Sequence, residues 1–233
     1  YLHSLHSHCF QFADALGIVS TGILNELVQT FPFIRQKARL LRNMPALSIQ
    51  SEPLPSNRTT IPEDSDCLIS ILYSGLITSG RGLDNLLMSL PFLDKRFHIY
   101  LMGPMCGDST DLLSLLDDYP ECKKRVHVLD PVPFPQLISM CSLFDIGYLV
   151  QPLYGPQKQF SLANKFFEYI HSELVLCTDS SFEMSSIVRK YDLGVIIPEY
   201  TPQCVAATLN QLSDNDIKAY KDRSSYHKAK FTF

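Results

Sequence analysis

An α/β fold built on a parallel sheet covered on both faces is the architecture that this sequence predicts. Three observations carry the prediction. Strand-like runs recur at 67–73, 97–102, 125–129, 145–150, 174–178 and 193–197. Helix-like runs lie between them, near 82–90, 109–118, 134–141, 163–171, 182–191 and 202–212. The strand runs are apolar nearly throughout, as burial on two faces requires.

Composition is consistent with such a core. Of 233 residues, 45% are apolar and 19% charged, which argues against intrinsic disorder. The formal net charge of −4 leaves no global basic footprint, so nucleic acid is not an expected partner. The seven cysteines form no Cys-x-x-Cys pair, and no His clusters with them at metal-ligand spacing, so no metal is expected. Cys67 and Cys177 sit inside apolar runs, and a reducing compartment with most thiols buried is the reading. No signal peptide is visible, and no apolar run is long enough to span a bilayer.

Before the regular alternation, the chain is less orderly. Residues 14–19 read as a short strand. Ser20 and Thr21 offer an N-cap for a helix over about 21–30, which Pro32 ends. Residues 37–42 read as another strand. His3, His6 and His8 read as surface residues. Some forty residues rarely hold a core alone. With no Met at position 1, residues 1–43 read as the remnant of a domain whose main part lies upstream. Residues 44–66 are rich in Pro, Ser and charge, which is linker composition. A domain over 67–213 follows, and 214–233 read as a final, truncated helix.

Ligands of doubly wound sheets sit at the carboxyl ends of the strands, which directs attention to a few loops. Tyr73-Ser-Gly-Leu-Ile-Thr-Ser-Gly-Arg-Gly-Leu-Asp follows the first strand of the regular set. Gly75 and Gly80 let its backbone turn and approach a ligand. Arg81 brings a planar, permanent charge suited to phosphate to the start of a helix. The plainer alternative is a tight turn with a solvated Arg. The glycines do not follow the dinucleotide fingerprint, and there is no P-loop.

A second loop runs from Leu153 to Ala163 and opens the helix Asn164-Lys-Phe-Phe-Glu-Tyr-Ile. Ser161 is its expected N-cap, so the amides of Leu162, Ala163 and Asn164 would face a diphosphate. Lys165 and Glu168 share a helix face. Glu168, one turn deeper, suits the hydroxyls of a ribose. Judged alone, an exposed Lys–Glu pair is the simpler reading. Val132 and Phe134 are candidates to pack against a base, and Gly103 ends a strand at the same edge.

In order along the chain, these segments resemble the GT-B glycosyltransferases, in particular the large family of retaining bacterial enzymes known as family four. The stretch from Tyr73 through Leu87 resembles the first strand, loop and helix of that family's C-terminal domain. Asn164-Lys-Phe-Phe-Glu-Tyr-Ile resembles its Asn-Lys-Leu/Phe-Phe-Glu-Tyr helix. Thr178 through Val188 and Leu193-Gly-Val-Ile-Ile-Pro are similar to the segment after it. Asp14 through Ile23 and Arg42-Asn-Met-Pro resemble the last strand of the N-terminal domain and the interdomain crossing.

The resemblance implies the C-terminal half of a GT-B fold: a Rossmann-like domain that binds a nucleotide-sugar donor, with a remnant of the N-terminal acceptor domain. It places Arg81 on the diphosphate, Glu168 on the ribose as the second Glu of the family's pair, and Lys165 as that helix's Lys. Gly75, Gly103, Val132, Ser161, Leu162 and Ala163 complete the expected binding set, and no catalytic residue is assigned. The nucleotide-sugar is a substrate, so no cofactor is implied. The acceptor, whether a sugar or a lipid-linked molecule, is not named. The setting implied is cytoplasmic, compatible with peripheral association at the inner face of the membrane.

The sequence also departs from the family. The first Glu of the pair falls at Phe160, and a common basic residue falls at Leu76. The Gly and Pro usual after the second Glu are Glu173 and Val175. A non-catalytic nucleotide-binding partner and a sugar-nucleotide epimerase of similar fold are therefore the alternatives.

Overall fold

The computed structural model describes residues 2–44, 68–107, 109–152 and 159–232. Most of the expected linker, and residues 153–158 of the second loop, lie outside these.

Six strands form one parallel sheet: β3 (Ile69–Ser74), β4 (Phe97–Met102), β5 (Val126–Leu129), β6 (Ile146–Leu149), β7 (Val175–Asp179) and β8 (Gly194–Ile197). Their spatial order is β5-β4-β3-β6-β7-β8. The order reverses at β3, so β3 and β6 flank a topological switch point. Pleating explains why the strands are apolar at every position. Ile69, Ile71 and Tyr73 point to one core with Phe97, Ile99 and Leu101. Leu72 points to the other, with Tyr100, Leu149 and Leu176.

Helices cover both faces. On the first lie α3 (Leu83–Ser89), α4 (Ser109–Ser114) and α9 (Pro202–Asn210). On the second lie α6 (Leu137–Cys141), α7 (Asn164–His171) and α8 (Phe182–Tyr191), while α10 (Asp214–His227) starts against the first core through Ile217 and reaches the second at Ser224. Two details differ from expectation. A short helix α5 (Pro120–Lys123) was not foreseen. The run at 134–141 opens with a 3-10 turn over Phe134–Gln136, because Pro135 lacks an amide hydrogen to donate.

The final helix, α10, has a Ser213–Asp216 capping box. It ends at His227, and a 3-10 turn over Lys228–Phe231 then buries Phe231 against Phe167 and Tyr191. Ser224 Oγ donates to the Leu174 carbonyl, which ties the helix to the second face.

The first forty residues form a smaller unit. Strands β1 (Leu16–Ile18) and β2 (Ala38–Leu40) pair in parallel, joined by α2 (Thr21–Thr30). Ser20 caps α2, accepting from the Ile23 amide. An unforeseen helix α1 (Leu2–Phe12) precedes them, with His6 stacked on Phe10. Ile18, Phe31, Ile34 and Ala38 make a core of their own, a small one. Phe12, Phe33 and Leu41 stay exposed.

Among the described residues, no helix is long and apolar enough to cross a membrane. The expectation that most thiols are buried fails. Cys141 and Cys177 are buried, but Cys122 and Cys204 are half-buried, and Cys9 and Cys106 are exposed. The last two stand outside the strand runs, where no core claims them. Cys67 lies outside the described residues.

Candidate functional site

A cleft of about 450 Å³ opens at the carboxyl ends of β3, β4 and β5, beside the start of α7. Gly75, Arg81, Gly103, Val132, Ala163, Lys165 and Glu168 all line it. Ser161 and Leu162, also expected there, do not. Phe134 is exposed elsewhere. Ser74, Pro131 and Leu137 line it without having been singled out, and Asn164, whose amide was expected at a diphosphate, lines it too.

The floor is two loops laid on each other. The Gly75 amide donates to the Met102 carbonyl at 2.8 Å, and the Ile77 amide to the Pro104 carbonyl at 3.0 Å. At Gly103 the backbone has φ +146°, and a Cβ there would meet the Gly75 carbonyl oxygen at 2.1 Å. Gly103 thus relieves crowding, which keeps the two loops close enough to make one floor. A Cβ on Gly75 would stand 3.2 Å from Lys165 Nζ, so the missing side chain leaves room for that ammonium.

Helix α7 supplies the wall. Its apolar positions, Phe166, Phe167, Tyr169 and Ile170, are buried. Lys165 and Glu168, three apart, are left facing the cleft. Tyr169 fixes the helix to the sheet. The Ser74 amide and hydroxyl approach its phenol oxygen at 2.8 and 3.2 Å, and its ring lies over Gly147.

The N-cap of α7 is Ala163, in extended conformation, with no side-chain cap. The first amides are therefore those of Asn164 and Lys165, not Leu162 and Ala163. Ser161 stands too far upstream to cap them. Asn164 Oδ1 accepts from Asn43 Nδ2 at 2.7 Å, joining the end of the small unit to the site.

Electrostatically the cleft is cationic at one end. Lys165 Nζ lies 3.8 Å from the centre of the Tyr73 ring, and among the described residues it has no carboxylate partner. Burial, and then repulsion from Arg81, lowers its pKa to about 8, with Glu168 opposing. Burial raises the Glu168 carboxyl above its ordinary value, with Lys165 opposing. Arg81 is exposed beside the Gly82 cap of α3 and makes no ion pair among the described residues. No group of three metal-binding side chains occurs among those residues either.

Several solved structures share this fold. HepE from Anabaena, in complex with UDP and glucose, matches with a TM-score of 0.74 and 13% identity, over 99% of this chain and 63% of that one. The fold is of the GT-B type. The glycosyltransferase WaaG, involved in lipopolysaccharide biosynthesis, matches with a TM-score of 0.69 and 12% identity, over 92% of this chain and 58% of that one. A glycosyltransferase from Rickettsia africae matches with a TM-score of 0.74 and 12% identity, over 94% and 59%. The chain thus spans roughly three-fifths of these GT-B neighbours' length. No protein-family model matches the sequence, and no curated protein matches it either.

Proposed function

We propose that the cleft binds a nucleotide-sugar, and that the chain supplies the donor half of a glycosyltransferase that moves the sugar to an acceptor. One observation carries this reading. Arg81, just before α3, and Lys165 and Glu168, on α7, meet in one cleft at the switch point of a parallel sheet. Two cations that form no salt bridge among the described residues suit a diphosphate. The first amides of α7 add partial positive charge beside them. Glu168, one turn deeper, suits paired ribose hydroxyls.

In this reading residues 1–43 belong to the acceptor domain, 67–213 form the donor domain, and 214–233 close onto it. The chemistry this half contributes is stabilisation of charge on the departing diphosphate. UDP, seen bound in HepE, is the natural probe. Calorimetric titration of the chain with UDP tests the reading, and no heat of binding from pH 6 to 9 would refute it.

Phe160 favours a second reading. Its ring packs on Gly22 and stands edge-on to Phe182 at 6.1 Å, where the family would hold its first Glu. A protein that binds donor without transferring sugar would tolerate that exchange. Sugar release from UDP-glucose by the full-length protein separates the two.

A further inference from the structure

A second groove, also about 450 Å³, lies beyond the carboxyl end of β7, outside the cleft just described. It is lined by Gln159, Ser181, Phe182, Ser185, Ser186 and Arg189, with Ser180 at its rim. The helix repeat explains the cluster: Ser181, Ser185 and Arg189 recur every four residues on one stripe of α8.

We infer that this groove holds a pyranose ring. Ser181 is 1% exposed, yet among the described residues its hydroxyl has no hydrogen-bond partner. A buried hydroxyl without a partner is costly, and a ligand hydroxyl in the groove would satisfy it. Ser185 Oγ already accepts from Arg189 Nη1 at 3.1 Å, so its own proton is left to donate. Gln159 offers both a donor and an acceptor. Phe182, 51% exposed at the edge, presents an aromatic ring. The C–H bonds of one pyranose face are drawn to the negative face of such a ring.

The charges nearby argue for a neutral ligand. Asp179 accepts from the Ser181 and Gln151 amides, and Glu183 accepts from the Gly22 amide at 2.5 Å. Both carboxylates are buried beside the groove without lining it. They oppose a phosphate at the start of α8, whereas a polyol is indifferent to them.

The sugar of a nucleotide donor and the terminal sugar of an acceptor share this chemistry. The identification of the donor cleft is needed only to choose between them. The stretch from Gln159 to Ala163 runs from the groove to the cleft, so either source is within the same neighbourhood.

Saturation-transfer NMR on the full chain tests the groove, with UDP-glucose alone and with glucose in the presence of saturating UDP. Saturation of the glucosyl protons of UDP-glucose that is lost in Phe182→Ala and weakened in Arg189→Ala assigns the groove to the donor's sugar. Saturation of free glucose lost in the same variants assigns it to an acceptor. Circular dichroism of each variant reports whether it is folded. Glucosyl and glucose signals that are absent, or unchanged in both variants, overturn the inference even where UDP binds. Phe182-dependent glucose signals without UDP binding would uphold the groove and refute the donor cleft.

Discussion

Lys165 Nζ sits 3.8 Å over the ring of Tyr73, so an aromatic face, and not a salt bridge among the described residues, contacts the ammonium. Tyr73 is itself fixed, donating its phenol proton to the Leu76 carbonyl at 3.0 Å. The charge is thereby held toward the cleft without being neutralised. An aromatic partner stabilises an ammonium by about 0.5–2 kcal/mol and leaves its hydrogen-bond donors free for an incoming anion.

Because the Lys165 pKa is near 8, its charge is present below that value and lost above it. UDP affinity should therefore fall as pH rises through about 8. Lys165→Arg, which stays charged, should flatten that fall. Titration at pH 6.5, 7.5 and 9 in both proteins checks it. An equal fall in the variant would place the proton elsewhere.

Tyr169→Phe should destabilise the fold. The change leaves the Ser74 amide and hydroxyl without their buried acceptor, at a cost of about 1–3 kcal/mol. Chemical denaturation would show a lower midpoint with unchanged slope. An unchanged midpoint would mean that Ser74 finds another partner.

Glu173 occupies a left-handed conformation, φ 59°, where the family it resembles carries Gly. That costs a non-glycine residue roughly 1–2 kcal/mol. Lys228 Nζ at 2.6 Å and Ser225 Oγ at 2.9 Å hold its carboxylate. Burial pushes that carboxyl up, but these partners outweigh it and hold it below the ordinary range. The pairing is half-exposed, so it offsets only a few tenths to about 1 kcal/mol. Being a depressed carboxyl, it stabilises above its unfolded pKa, and the contribution is lost as pH falls through the folded one. At pH 7, Glu173→Ala keeps the strain and loses the pairing, whereas Glu173→Gly loses both. The Gly variant should melt about 2–4 °C above the Ala variant. Equal melting temperatures would show that φ here is unstrained.

The small unit at 2–44 should open more readily than the six-stranded sheet. Its strands are three residues each, and two strands alone are marginal in water. Hydrogen exchange should be faster in β1 and β2 than in β3 and β4. Equal protection in the isolated chain would contradict this.

What the sequence disclosed follows from how each feature is stabilised. The strands of the main sheet were legible because two-sided burial demands apolar residues at successive positions, as in Ile71, Leu72 and Tyr73. Helix α2 was legible because Ser20 is a true cap. Ser161 misled because a favoured cap residue type does not fix where a helix starts. The chain reaches Ala163 still extended, at φ −72° and ψ 143°. Helix α1 was missed because its polar and aromatic residues show no clear apolar stripe. The Asn43–Asn164 link joins positions far apart in sequence, so no local pattern announces it. Lys165 and Glu168 read as an ordinary surface pair, and only the cleft distinguishes them.

The central claim is that Arg81 meets a diphosphate and Glu168 a ribose in one cleft. Calorimetric titration of Arg81→Ala and Glu168→Ala with UDP and with uridine tests it most directly. Arg81→Ala should weaken UDP by about 1.5–3 kcal/mol, roughly ten- to 150-fold, and leave uridine nearly unchanged. Glu168→Ala should weaken both ligands. Equal losses of UDP and uridine in Arg81→Ala would contradict the phosphate assignment, and unchanged uridine binding in Glu168→Ala would contradict the ribose assignment.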